Sequence, residues 1–421
     1  MNGSQTQKGA QQQASSLNHS GATPALNRRR AHLATKNDRR VIARSHRLGY
    51  ALLHTVAKLG HIVRVPGIGV IVSEAGAMRA ILVDGENFSK VGQGASSELW
   101  TPIIGDSGLV NMDGPKHIHL RKKLGPMFTN KFVSKLVGDI VPPQLAEIKT
   151  KLLAGQAIDI ALEVERTAAN MVCRLAGYDM VATDPSVISA QLANARAILG
   201  AVKINTRSFS PEQVVEGRRR LADIHENIRR TYRLDVPGSV AKLLKDSDIS
   251  EDDTVSVISA LIVAGTETMV SHITRFAQIM VTSGYLDVIA ADSAKIASCI
   301  DEGFRVTVPS AVMVRAVRQP TKVGRFKVAP GVRIVLATHE SCQRAGDFNP
   351  DRPVPKEMRQ LWFGAGAHFC LGMPLAQMMV ELYLQMFAEV HAVAPIKIKS
   401  KKLRTNSFVS GYDSLVIQCT S

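Results

Sequence analysis

The chain lacks every close cysteine pair. Its five cysteines, Cys173, Cys299, Cys342, Cys370 and Cys419, are odd in number and widely spaced. No C-x-x-C or C-x₄-C spacing occurs, which argues against zinc and iron–sulfur frameworks. The same spacing implies no disulfide scaffold and suits a reducing compartment. A strand–Gly-x-Gly-x-x-Gly–helix unit is also missing, so no nicotinamide site of that form is expected. No internal repeat is visible. The first forty residues lack aliphatic runs and contain no acid before Asp38. They hold no apolar segment of signal-peptide or membrane-spanning type. Residues 1–40 are therefore expected to be a disordered polar and basic tail, and residues 41–421 a single domain.

What is present suits a globular enzyme: 45% hydrophobic and 21% charged residues across 421 positions, enough for a large core. The net charge of +16 is strong. It points to a solvated basic surface, or to nucleic acid, an anionic membrane or an acidic protein partner. The basic clusters at Arg28–Arg30, Arg121–Lys123, Arg218–Arg220 and Lys399–Arg404 are not interleaved with aromatics, which argues against nucleic acid.

Helical spacing dominates. "HIVRVPGIGVIVS" and "FKVAPGVRIVLAT" each read as two short strands around a Pro-Gly turn. The longest helical pattern opens on the cap candidate Ser250, carries acids at Glu251–Asp253, and stops at Gly284. It is apolar nearly all round in its first half, as a helix through the protein centre would be. Glu267, His272 and Arg275 interrupt it too soon for a membrane span. In its middle, "AGTET" places Glu267 and Thr268 in the most buried element, where polar groups need partners. Thr268 either bonds back to the carbonyl one turn earlier or borders a local opening that holds water beside a reaction centre. Further on, Glu302 and Arg305 stand three apart, in reach of one another on a helix, a spacing common on surfaces. His117 and Arg121 share another helical face, read as a basic surface or as donors for an anionic ligand.

The stretch Leu361–Gly372, "LWFGAGAHFCLG", sets one cysteine among glycines. Within it, Phe363-Gly364-x-Gly366-x-His368-x-Cys370-Leu371-Gly372 matches in full the cysteine signature of the cytochrome P450 haem-thiolate monooxygenases. The E-x-x-R pair, the A-G-x-E-T helix and the H-x-x-x-R helix occur in that family's order. The chain resembles the soluble bacterial members over roughly residues 45 to 421. The resemblance implies a mainly α fold with small β-sheets: a triangular helical prism around a buried haem b (iron protoporphyrin IX).

By the same resemblance Cys370 is the axial thiolate, an arrangement for which this family is the standard example. The loop glycines would let the chain pass flat against the porphyrin, with Phe363, Gly366 and Gly372 at the cofactor and amide N–H groups aimed at the sulfur. His117, Arg121, Arg315 and His368 would bind haem propionates. Glu302 and Arg305 would form the structural pair, with Arg352 as third member. Glu267 and Thr268 would be the acid–alcohol pair that delivers protons during oxygen activation. Leu261, Ile262, Ala264, Val308, Ala311, Val312 and Phe408 would line a pocket for a hydrophobic terpenoid, steroid, fatty acid or polyketide. Lys203 and Arg207 fall where a lid is expected, as solvated surface or as a greeting for a carboxylate or carrier protein.

Gln377 and Met379 depart from the Arg and Glu of many bacterial members. The implied reaction inserts one atom of O₂ into a C–H bond or a double bond. Its electrons would come from a separate ferredoxin or flavodoxin with its reductase. A cytoplasmic protein without membrane anchor is expected. The alternatives are a peroxygenase or isomerase of the same fold, or a non-catalytic basic binding protein.

Overall fold

The computed structural model describes residues 24–178, 185–202 and 206–420. The chain opens with helices α1 (Pro24–Ser45) and α2 (Arg47–Leu59), then strands β1 (Ile62–Val65) and β2 (Gly69–Val72). Helix α3 (Ala75–Val83), strand β3 (Phe88–Ser89) and helices α4 (Ser97–Ile104), α5 (Gly114–Leu124) and α6 (Asn130–Leu153) follow. Strand β4 (Ile158–Asp159) leads into α7 (Ile160–Ala176), α8 (Pro185–Gly200), α9 (Pro211–Arg233) and α10 (Val240–Lys245). The long α11 (Glu251–Ser283) is succeeded by α12 (Tyr285–Ala291) and α13 (Ile296–Val306). Strands β5 (Met313–Val317), β6 (Thr321–Val323), β7 (Phe326–Val328) and β8 (Arg333–Leu336) precede α14 (Thr338–Gln343), α15 (Met373–Val393), β9 (Ile396–Leu403) and β10 (Tyr412–Cys419).

Helix α11 forms where its end signals stand. The Ser250 hydroxyl accepts from the Asp253 amide at 3.2 Å, and Gly284 closes the helix at φ 78°. Every residue from Thr254 to Ala260 is buried in protein, so this apolar helix is a core element. It packs with α7, α13 and α15 in one large hydrophobic core, which α6 joins through α7 and α15. Gly303 of α13 allows one close approach, because a Cβ there would stand 2.5 Å from the Phe276 ring.

The main sheet has the order β1-β2-β8-β5-β3; β2 and β8 are parallel and the other pairs antiparallel. A second sheet, β4-β10-β9, and the hairpin β6-β7 complete the small β content. The β1–β2 hairpin matches its sequence reading. The second Pro-Gly stretch does not form a hairpin: β7 pairs with β6, whereas β8 joins the main sheet between β2 and β5. Residues 326–336 therefore bridge two sheets.

The expected boundary at residue 40 is wrong on its inner side. Residues 24–45 form α1, which packs on α11. Asp38 is fully buried and takes both forks of Arg275, Nε and Nη2, each at 2.7 Å. Arg275 Nη1 also donates to the Val308 carbonyl at 3.0 Å. Ala31, Ala34, Thr35 and Val41 are buried beside it. The polar composition concealed this, because the buried face is built of small side chains and one charge paired far along the chain. Residues 1–23 lie outside the described residues.

Candidate active site

The stretch that runs from the 3₁₀ turn Leu361–Phe363 through the 3₁₀ turn Gly366–His368 to Gly372 carries the signature. Gly364 and Gly366 adopt left-handed backbone (φ 81° and 66°), open to glycine without strain. A Cβ on Gly366 would lie 2.6 Å from the Leu82 carbonyl oxygen, so this glycine serves the packing of the loop on α3. That differs from its expected place at the cofactor: Phe363, Gly364 and His368 line the adjoining cavity, and Gly366 does not.

Cys370 is the exposed member of the five cysteines; the other four are buried. Protein still surrounds its sulfur on most sides, and burial raises the thiol above its ordinary range. The amides of Gly372 and Met373 and the cations Arg121 and Lys90 act in the opposite sense. The sulfur is thus held for ionisation by a bound cation, and Gly372 contributes its N–H as expected.

A cationic cluster surrounds the loop. Arg121 donates to the Phe369 carbonyl at 2.7 Å, and the His117 and His368 rings lie tilted at 31° with their centroids 4.1 Å apart. Asp113, at the N-cap of α5, does not cap its own helix. Its carboxylate instead binds His368 Nε2 (2.5 Å), the Ser89 hydroxyl (2.5 Å) and the Lys90 amide (2.6 Å). Despite burial, those bonds hold it below the usual carboxylate range. Lys90, His117, Arg121, Arg315 and His368 are all pulled toward their neutral forms. Burial, then Arg315, lowers Lys90 to about 7; burial, then Arg121 and Lys90, lowers His117 to about 4. Burial lowers Arg315 to about 10.

Lys90 and Asp113 escaped the sequence reading. Asp113 carried one signal, an acid directly before a Gly-Pro helix start. The cluster is short of negative charge, and His117 Nε2 is buried without a partner. Two carboxylates placed here would satisfy both deficits. The residues therefore fit a haem: Cys370 for the iron, and Lys90, His117, Arg121 and Arg315 for the propionates. His368 already gives one ring nitrogen to Asp113, so it orients the cluster as well as facing it.

The cavity has a volume of about 250 Å³. Ala260, Val263, Ala264 and Thr268 of α11 line it, one helical face by the 3.6-residue repeat. Of the expected pocket residues, Ala264, Val312 and Phe408 line this cavity. Ala311 borders a small neighbouring cavity with Val312 and Phe408. Leu261 and Ile262 do not line the cavity, since they fall beside the 260/264/268 face, and Val308 is wholly buried in the core. Leu99 and Trp100, in the stretch 88–104 expected to border the pocket, also line it; Leu199, Val202 and Arg333 are lining residues that were missed.

Helix α11 runs unbroken through "AGTET", so no local opening is seen. Thr268 Oγ1 donates to the Ala264 carbonyl at 2.6 Å and lines the cavity; Thr266 bonds back to Ile262 at 2.9 Å. Glu267 is buried and off the cavity wall. Its Oε1 accepts from Arg196 Nε and its Oε2 from Arg404 Nη1, each at 2.6 Å. Arg196 also binds Glu165 (2.8 Å), and Arg404 binds Asp413 (3.3 Å).

Glu302 and Arg305 are buried and joined by two bonds of 2.7 and 2.6 Å. Arg305 reaches the carbonyls of Cys342 and Gly346, and Glu302 Oε1 accepts the Asn349 amide at 2.8 Å. Arg352 is not a third member of that pair. It donates to the Asp347 carbonyl at 2.7 Å, and the Asn349 amide takes the place at Glu302. Arg207 is exposed and bonds the Gly67 carbonyl (2.8 Å); Lys203 lies outside the described residues.

The family model for cytochrome P450 matches residues 296–414. Vitamin D(3) 25-hydroxylase of Pseudonocardia autotrophica is 26% identical over 286 residues, 64% of this chain and 67% of that protein. 6-Deoxyerythronolide B hydroxylase of Saccharopolyspora erythraea is 25% identical over 288 residues, covering 65% and 68%. P450BioI, solved with a hexadec-9Z-enoic acid-ligated acyl carrier protein, superposes with a TM-score of 0.74 at 15% identity. That likeness covers 88% of this chain and 97% of P450BioI.

Proposed function

The chain is a bacterial-type cytochrome P450, a haem-dependent monooxygenase, and on that premise we propose that it hydroxylates or epoxidises a hydrophobic small molecule with electrons from a ferredoxin or flavodoxin. The balanced reaction joins substrate, O₂, two electrons and two protons to give oxygenated product and water. Bound haem supplies the site of O₂ reduction and oxygen transfer. The protein's own residues supply the rest.

Cys370, in its amide-lined loop, would hold the iron as a thiolate. Lys90, His117, Arg121 and Arg315 would fix the propionates, and Asp113 keeps His368 turned into the cluster. The apolar walls exclude water and hold the substrate. Thr268, bonded to the Ala264 carbonyl, presents the hydroxyl that hands protons to the reacting oxygen. Glu267 is the reserve acid behind it. To pass a proton its carboxylate must release an arginine and turn toward the cavity. Arg196 is the partner with the more exposed side chain, 27% against 5% for Arg404, and so is released at the lower cost.

The observation that carries this reading is Cys370, the exposed cysteine, in a loop whose Gly372 and Met373 amides face its sulfur, set beside a cationic cluster that has Asp113 as its one near carboxylate and leaves His117 Nε2 unpaired. The reduced protein with carbon monoxide should show the strongly red-shifted Soret band of a thiolate-ligated haem. Cys370→Ser should abolish it together with oxygenation. A variant that keeps the thiolate spectrum would refute the assignment.

A further inference from the structure

Arg333 is the second cationic feature of the cavity, and it is not part of the propionate cluster. In the β5–β8 ladder Arg315 lies opposite Ile334, and Arg333 lies opposite Ala316. Side chains alternate along a strand, so the two arginines leave the sheet on opposite faces. Arg333 is 7% exposed and lines the cavity among the apolar side chains of Leu99, Trp100, Val202 and Val335. Its Nη1 donates to the Thr206 carbonyl at 3.1 Å, while its Nε is buried without a partner. A buried guanidinium ordinarily meets a carboxylate with two parallel bonds.

Glu98 is the acid that acts on it, but one Glu98 oxygen is held by the Gly94 amide at 2.7 Å. Burial, reinforced by Arg207, outweighs Glu98 and draws the group below its usual range. The site therefore holds a positive charge on a mainly apolar stretch of the cavity wall, with one donor unpaired.

We propose that Arg333 is the specificity anchor for a carboxylate on the substrate, so that the natural substrate is an apolar acid rather than a neutral hydrocarbon. This rests on the monooxygenase reading given above. Arg207, spent on the Gly67 carbonyl, is not the anchor. The apolar body of the acid lies along the α11 wall, and its carboxylate takes the bond that Nε now lacks.

The test is binding of the straight-chain acids from octanoic to hexadecanoic, and of their methyl esters, to the haem-loaded protein. It is followed by the Soret shift and independently by calorimetry. The best acid should bind roughly 10- to 100-fold more tightly than its own ester, the worth of a charge-assisted bond to a buried cation. Arg333→Gln should erase that preference and leave ester binding unchanged, and Arg333→Lys should restore part of it. Equal binding of acid and ester by the unaltered protein would overturn the proposal without any variant. Loss of acid and ester binding alike in Arg333→Gln would overturn it too, by giving Arg333 a purely structural role. Either failure leaves the red-shifted carbon monoxide band intact, whereas absence of that band removes the monooxygenase reading and the anchor together.

Discussion

Replacing Asp38 with alanine tests whether α1 belongs to the catalytic fold. The side chains of Asp38 and Arg275 are both 0% exposed, and two bonds of 2.7 Å join them. Alanine would leave the guanidinium buried with the Val308 carbonyl as its remaining acceptor. Breaking a buried pair from one side costs about 3–5 kcal/mol, a large share of the 5–15 kcal/mol by which domains are stable. Removing both charges is different, since well-packed apolar replacements of buried pairs are often neutral. Asp38→Ala should therefore lower the urea midpoint severely and release haem. Asp38→Leu combined with Arg275→Met should recover most of that loss. The assay is urea unfolding followed by circular dichroism and the Soret band together. A loss below about 1 kcal/mol in Asp38→Ala, with no recovery in the double variant, would refute the reasoning. It would make α1 an accessory helix.

Glu302→Ala leaves Arg305 buried and the Asn349 amide without its acceptor. It should cost roughly 3–5 kcal/mol and yield little haem-loaded protein, and normal yield would show the pair to be dispensable. His272 is buried and stacked on Phe304 at 4.0 Å, and burial, then Arg275, lowers its pKa to about 3 from 6.5. The unfolded state therefore takes the proton first. Stability should fall by about 1.4 kcal/mol per pH unit below 6.5, with the loss ending near 3. Urea midpoints at pH 7 and 5 should converge in His272→Phe relative to the unaltered protein, and parallel pH profiles would count against it. Thr268→Ala should still consume electrons and bind substrate, yet divert oxygen to hydrogen peroxide. Removal of a proton-transfer group typically costs roughly 10²–10⁴ in the step it serves. Thr268→Ser should retain coupling, and unchanged product per electron in Thr268→Ala would favour a peroxide-driven mechanism.

The parts legible in the sequence were those written locally. Ser250 and Gly284 marked the ends of α11 because caps act within one turn of the residues they terminate. The Cys370 loop was legible because its residue types and spacings are packed into a dozen positions. What escaped depends on contacts far apart in the chain. Asp38 reads as a tail residue until Arg275, on a distant helix, is seen to hold it. Asp113 reads as a helix cap until His368 is found at its carboxylate. Arg333 reads as a strand cation, and its face could be assigned only with the β5–β8 register. The pocket face of α11 was read correctly at Ala264 and misread at Leu261 and Ile262. Anchoring the 3.6-residue repeat on Thr268 selects Ala264 and Ala260, and it turns Leu261 and Ile262 aside.

Asp38, Glu267 and Glu302 show how one device is given different duties. Each is a buried carboxylate on or against the central helices, and each receives arginine N–H donors. For Asp38 and Glu302 the arginine side chain is 0% and 1% exposed and bonds backbone carbonyls as well, so releasing either would strand a charge in the core. Such pairs hold position. Glu267 is equally buried, but its two bonds come from two different arginines, and the Arg196 side chain stands 27% in solvent. Water and Glu165 can take that guanidinium back, so the Glu267 oxygen it leaves is freed without a stranded cation. Arg404, 5% exposed, keeps the other oxygen in place meanwhile. The carboxylate next to Thr268 is therefore the one of these three whose hold can open on one side, as the proton-moving role proposed for it requires.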